Sequence, residues 1–359
     1  MIDDKMINWL KELKISSSRF LNLLKGQSRK GFYHYSLSGD YFSEKIKWGL
    51  GNTVFALKTI YTLDLTEQYK TEIIEAVNFI KSFNREDGTF SDRLINVLSW
   101  PNIISYNLKN LSLRRNKQIQ LAETRQSISV LNLYSQYPLY SYRLEAMTIN
   151  ELENKLEELN WSNPWDGGSH FSHLLFYLNQ SNLDNKPYLI EHAIKWIDKI
   201  QNHSDGFWFR GKPTLQQKIN GAMKIITGLN IVDKMRINYP ELIIDSLLAA
   251  KNDKHACDNF NIIYVLKYCS NKTNNGYRMS DIKNFTIDRL NIYKNYYHPK
   301  TGGFSFNRNK SSTTYYGARI ARGKSEPDIH GTVMFLWGIS IITQILGINA
   351  ELKYREFKP

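Results

Sequence analysis

Asp328 and His330 stand two residues apart where an apolar run begins, behind an Arg/Tyr-rich loop that contains Tyr316 and Arg319. A carboxylate beside an imidazole suits general acid–base chemistry, because an imidazole titrates near neutral pH. His255 and Asp258 repeat that pairing at the start of another apolar run. His170 and His173 are three residues apart, so on a helix they share a face, with Asp166 one turn upstream. That is half a metal site or the polar wall of a cavity. Arg125 and Gln126 open a further run, and Asn220 lies near the start of the next. A buried guanidinium needs a carboxylate or the anionic group of a ligand, and Glu123 is too close in sequence to be an obvious partner. An Asp just ahead of a helix is most often its N-cap, which is the plainer reading of Asp328 and, as a first-turn cap, of Asp258. His330 is then the leading functional candidate.

Positioning these groups calls for helices. Residues 48–63, 123–134, 167–178, 218–231, 255–268 and 328–342 each combine a small or polar start with an apolar body, so each should be a helix buried on nearly all sides. Between them residues 68–83, 150–159, 187–200, 239–251 and 280–293 carry one apolar stripe, as does the N-terminal segment. Thr148 or Asn150 is a plausible cap for the second of these, and Pro187 suits a first-turn position in the third. Six buried helices alternating with six surface helices predict an all-α fold, an (α/α)6 toroid. In that arrangement the polar starts of the inner helices meet at one mouth of a central cavity. Where outer helices end, residues 79–90, 196–208 and 293–304 repeat an aromatic-rich end, a Gly-containing turn and a further aromatic. Such repetition suits a solenoid closed into a ring. No Gly/Ser- or Pro-rich linker interrupts the 359 residues, so a single domain over 1–359 is expected.

Composition narrows the partners. A formal net charge of +13 favours an anionic small molecule or glycan, although the Lys-rich composition also fits solvated faces. The basic residues are scattered rather than gathered on one helix, which argues against nucleic acid. Aromatic residues make up 13% of the chain, as suits a cavity for sugars or hydrocarbons. Cys257 and Cys269 fall on one predicted helix at roughly 18 Å, too far apart to bridge. With no signal-peptide pattern at the N-terminus, that points to a reducing, cytoplasmic location. Residues 331–350 lack charge and reach membrane-span length, but Gly331, Gly338, Gln344 and Gly347 and the segment's place in the buried set favour a core helix. No transmembrane segment is expected, and peripheral membrane contact stays open.

These motifs carry a resemblance. Trp196 to Trp208, with Gln201 and Asp205-Gly206-Phe207-Trp208, resembles the repeat of squalene-type cyclases, in which a Gln and a later Gly-x-Trp tie an outer helix to the next turn. Gly302-Gly303-Phe304, Gly323-Lys324-Ser325 and Asp328-Ile329-His330 resemble the end of protein prenyltransferase β-subunits, where a zinc-binding His opens an inner helix. The likeness is specific over about 205–342 and elsewhere concerns architecture. It implies a toroid of the terpenoid cyclase/prenyltransferase superfamily acting on a prenyl diphosphate-like substrate. The cyclases' Asp-x-Asp-Asp run and the class I synthases' Asp-Asp-x-x-Asp face are both missing. The prenyltransferases' Asp-x-Cys pair is replaced by His255-Ala256-Cys257, so a zinc site of Cys257, His330 and His255 or Asp258 is conceivable but not favoured, and no cofactor is expected. Two other classes remain. A carbohydrate-active enzyme, such as a polysaccharide lyase, a uronate-handling enzyme or a glycosidase of surface-polysaccharide metabolism, could draw on Asn220, His330, Tyr316 and Arg125. A non-catalytic toroid would bind a glycan or a partner.

Overall fold

The computed structural model describes residues 2–95 and 113–359 and is mostly helical, with four two-residue strands among those residues. The helices are α1 (Asp4–Leu24), α2 (Leu50–Thr62), α3 (Lys70–Lys81), α4 (Leu113–Leu133), α5 (Ile149–Glu157), α6 (Pro164–Gln180) and α7 (Lys186–Lys199). They continue as α8 (Leu215–Ile231), α9 (Pro240–Leu248), α10 (Ala256–Ser270), α11 (Met279–Lys294), α12 (Ile329–Leu346) and the short α13 (Asn349–Leu352). Within α2 every residue but Tyr61 is buried, whereas α1 buries the stripe Met6, Leu10, Leu13, Ser17, Phe20, Leu21 and Leu24. From α1 to α12, striped and all-round-buried helices alternate along the chain, as their sequence periodicity predicts. α12 has the length and hydropathy of a membrane span, yet 78% of it is buried inside the protein.

Contacts divide the chain into two compact units. The first comprises Met1–Tyr142, Lys254–Cys257 and Arg289–Phe357; the second comprises Arg143–Asp253, Asp258–Asp288 and Lys358–Pro359. In the first, α2 packs against α3, α4 and α12, and in the second α6 packs against α7 and α8. Cys257 and Cys269 lie on the same helix and are not bridged by a disulfide.

Boundaries follow local chemistry. Thr148 and Thr214 each form a reciprocal capping box, with Glu151 and Gln217, and Asp328 caps α12 through Gly331 N–H at 2.7 Å. Two expectations need correction. The helix that carries Arg125 begins at Leu113, not near Glu123, so Glu123, Arg125 and Gln126 lie about three turns inside it. Its first turns are rich in Arg, Lys, Gln and Asn, which sustain a helix without an apolar signature. The stretch around Tyr316 is a hairpin, not a loop: β3 (Thr314–Tyr315) pairs with β4 (Ala318–Arg319), and Tyr316 and Gly317 turn between them at φ +47° and +84°. Two successive positive φ values suit a two-residue turn matched to strand twist.

The repeated turns share one construction. Gly31, Gly88, Gly206 and Gly302 all adopt positive φ, and two residues later Tyr33, Phe90, Trp208 and Phe304 are buried and bridged to Lys25, Asn84, Gln201 and Tyr297. The left-handed backbone is what requires glycine there. Gln201 Nε2 donates to Gly206 O at 2.8 Å, so the tie expected of the cyclase-like repeat is present. Because both groups are buried, Gln201→Ala should cost about 1–3 kcal/mol by leaving the carbonyl unsatisfied. Urea denaturation of the variant would measure this, and wild-type stability would show that the tie carries no weight.

Candidate functional site

In the first unit, Asp328 is fully buried and holds three backbone segments together. Oδ1 accepts Gly331 N–H at 2.7 Å, and Oδ2 accepts Phe306 N–H at 2.8 Å and Ser312 N–H at 3.0 Å. Burial raises its pKa to about 7 against the pull of these donors. The first carboxylate singled out in the sequence is therefore a cap and a clamp by geometry. Gly331 permits the approach: a Cβ there would stand 2.4 Å from Phe306 N. His330 then stacks on Phe55 at 4.7 Å and 12°, and packs against Phe306 at 4.7 Å and edge-on to Tyr315 at 6.1 Å. His255, just ahead of α10, stacks on the same Phe306 ring at 5.1 Å. Two of the predicted histidines thus meet on one phenyl ring.

A second buried acid cluster lies in the same unit. Asp92 is fully buried and accepts Gly49 N–H at 2.6 Å and Leu50 N–H at 3.2 Å on Oδ2, and Leu94 N–H at 3.0 Å on Oδ1. It caps α2 from outside, since Gly49 has no side chain to do so. Glu123, 3% exposed, accepts only Asp92 N–H, at 3.1 Å on Oε2, while Oε1 is buried without a hydrogen-bond partner among the described residues. Burial, with Asp92 adding, drives Glu123 well above the usual carboxylate range, and burial pushes Asp92 up to about 6. Three donors and a helix N-terminus favour ionised Asp92, so the shared proton rests on Glu123. Burial raises Tyr315 and Tyr316 alike, and Arg125, itself buried, opposes the rise at Tyr316, which reaches about 12. Gln126 accepts a hydrogen bond from Lys58. Arg319 lies exposed on the outer side of its hairpin.

The remaining candidates belong to the second unit. Fully buried Asp258 accepts Gln216 Nε2–H at 2.7 Å and Asn220 Nδ2–H at 3.0 Å, and Asn220 Oδ1 accepts from Asn261 at 2.9 Å. The acid expected to pair with His255 is thus held by amides. His170 lies 3.5 Å from Asp166, and its ring meets His173 edge-on at 6.2 Å. Among the described residues no three His, Cys, Asp or Glu side chains converge as a metal site would need.

Asp92, Phe55 and Phe306 were not singled out from the sequence, and Glu123 was weighed only as a partner for Arg125. A signal existed: two residues beyond the buried aromatic of each turn stand Tyr35, Asp92, Arg210 and Phe306. Three of those four line this region of the first unit. No protein-family model matches the chain, and no curated protein matches it.

The proton on the Glu123/Asp92 pair has a thermodynamic consequence. Native pKa values raised above the unfolded ones mean that the native state binds more protons, so stability falls as pH rises through about 6 and beyond. Glu123→Gln should flatten that decline by up to about 1.4 kcal/mol per pH unit. Denaturant melts at pH values on either side of neutrality would read it; parallel curves for both proteins would refute the raised acid.

Proposed function

We propose that the alternating helices close into an (α/α)6 toroid of the terpenoid cyclase/prenyltransferase type, whose first unit performs general acid/base chemistry on an anionic, prenyl diphosphate-like substrate. The observation that carries this reading is Glu123: a buried acid pushed by desolvation toward its protonated form, with one oxygen unengaged by the described residues, beside tyrosines and in a unit whose histidine is wrapped in aromatic rings. The alternation along the chain and the Gln201 tie support the architecture.

In this reading Glu123 Oε1–H gives its proton to an alkene carbon, the π electrons forming the new C–H bond. The carbocation left behind closes on a neighbouring double bond. Phe55, Phe306 and Tyr315 offer π faces that stabilise positive charge without attacking it. His330, as neutral imidazole, removes a proton from the adjoining carbon and restores an alkene, so atoms balance as an isomerisation. Asp92 keeps the next proton on Glu123 by like-charge repulsion. Arg125 with Tyr316 holds an anionic substituent.

A uronate-handling reading keeps one point in its favour, since Arg125, Tyr316 and His330 lie in one unit. Its fourth member, Asn220, is engaged with Asp258 and Asn261 in the other.

The test is turnover of prenyl diphosphates of increasing chain length, with a uronate polysaccharide in parallel. Products are read by mass spectrometry. Glu123→Gln should cut turnover about 10²–10⁴-fold. His330→Ala should abolish turnover while stability changes by about 1–2 kcal/mol, within the usual single-substitution range. Undiminished turnover in Glu123→Gln removes the acid; depolymerised uronate in place of prenyl products moves the assignment to the carbohydrate class.

A further inference from the structure

The register of the β3–β4 hairpin has a second face. Tyr315 pairs with Ala318 and both are buried; Thr314 pairs with Arg319 and both are exposed. One hairpin therefore sends Tyr315 inward, toward His330, and Arg319 outward. Beyond it the chain pairs with the segment around Asp40: Tyr41 N–H donates to Ile320 O at 2.9 Å, Arg322 N–H donates to Gly39 O at 2.8 Å, and Asp40 bridges Ala321. This pairing fixes Tyr41 beside the hairpin's exit. Tyr41 is 41% exposed, and two guanidiniums share its ring, Arg319 at 5.2 Å and Arg322 at 5.5 Å from the centroid.

Like charges do not gather on one exposed ring for their own sake. Among the described residues neither arginine has a carboxylate within salt-bridge distance. The carboxylates of the neighbouring segments are turned elsewhere. Asp40 accepts Tyr35 N–H at 3.0 Å and Ser36 N–H at 2.9 Å and meets His34, and Glu326 accepts Ser38 N–H at 3.1 Å and Ser38 Oγ–H at 2.8 Å. Lys324 adds a third cation, its ammonium 3.4 Å from Ser38 O. The guanidinium faces are supported by the phenol, and their donor edges are left for oxygen atoms.

We infer that Arg319 and Arg322, braced on Tyr41, form a recognition site for a phosphate-class anion at the outer face of the hairpin that carries Tyr315 and Tyr316. The site deepens the function proposed above and rests on it for its biological meaning: the hairpin carries an anion grip on its outer face and Tyr315 on its inner one. It also assigns Tyr41 and Arg322, which neither motif nor resemblance indicates.

Calorimetric titration of the full chain with inorganic pyrophosphate tests the site without any turnover. Binding that weakens at least about tenfold in the Arg319→Gln/Arg322→Gln double variant, and weakens with added salt, is the expected result. Arg319→Lys and Arg322→Lys keep the charge but lose the planar fork, so each should weaken binding severalfold, and these serve should the double variant fold poorly. Glu123→Gln should bind pyrophosphate like wild type, which separates this site from the acid: lost turnover with retained binding supports both, and retained turnover sinks only the acid. No pyrophosphate binding by wild type, equal binding by the arginine variants, or binding of galacturonate in place of pyrophosphate overturns the phosphate site.

Discussion

Asp328 accepts three backbone N–H groups from three different stretches of the first unit, and the arrangement of the candidate site hangs on that one carboxylate. Gly331 N–H is the orphan donor of a helix start; Phe306 N–H follows the Gly302 turn; Ser312 N–H leads into the β3–β4 hairpin. Buried donors must be satisfied, and one carboxylate that satisfies three of them also fixes the distances between the segments that bear them. His330, Phe306 and Tyr315 owe their meeting to this. A neutral acceptor of the same size would hold one or two donors and lose the charge that attracts the helix start.

The same physical problem is solved again around Asp92. Gly49 offers no capping side chain, so a carboxylate from a distant turn accepts the first N–H groups of α2. The latch between turn and helix also repeats. Phe90 N–H donates to Thr124 Oγ1 at 2.8 Å and Phe304 N–H donates to Thr332 Oγ1 at 3.0 Å, while each hydroxyl donates back to the carbonyl four residues earlier in its helix. Equivalent latches place Asp92 and Phe306 at equivalent positions beyond their turns. One became an acid and the other an aromatic platform, so a common scaffold distributes different chemistry to matching places.

Charge is used in two ways. Inside, desolvation rather than ion pairing governs Asp92, Glu123 and Asp328, and all three are pushed toward their protonated forms. Outside, at Tyr41, two exposed guanidiniums of a chain with a formal net charge of +13 are brought together by backbone pairing. A low-dielectric interior that keeps protons and a basic exterior that attracts anions are compatible demands because they act on different residues.

Periodicity determined the helical class and the alternation of buried and striped helices, and residue type at the helix starts determined the caps at Thr148 and Asp328, because these depend on side-chain type at local spacing. The Gly-x-aromatic turns were legible for the same reason. Sequence placed the start of α4 too late, since its first turns carry charged helix formers with no apolar stripe. It also mistook the Tyr316 hairpin for a loop, because two positive φ values in a two-residue turn, one of them at a tyrosine, leave little trace in residue type. Only tertiary structure could raise the pKa of Glu123. Its pKa depends on burial and on Asp92, thirty-one residues away in the chain. Desolvation is a property of what surrounds a group in space, and no local spacing records it.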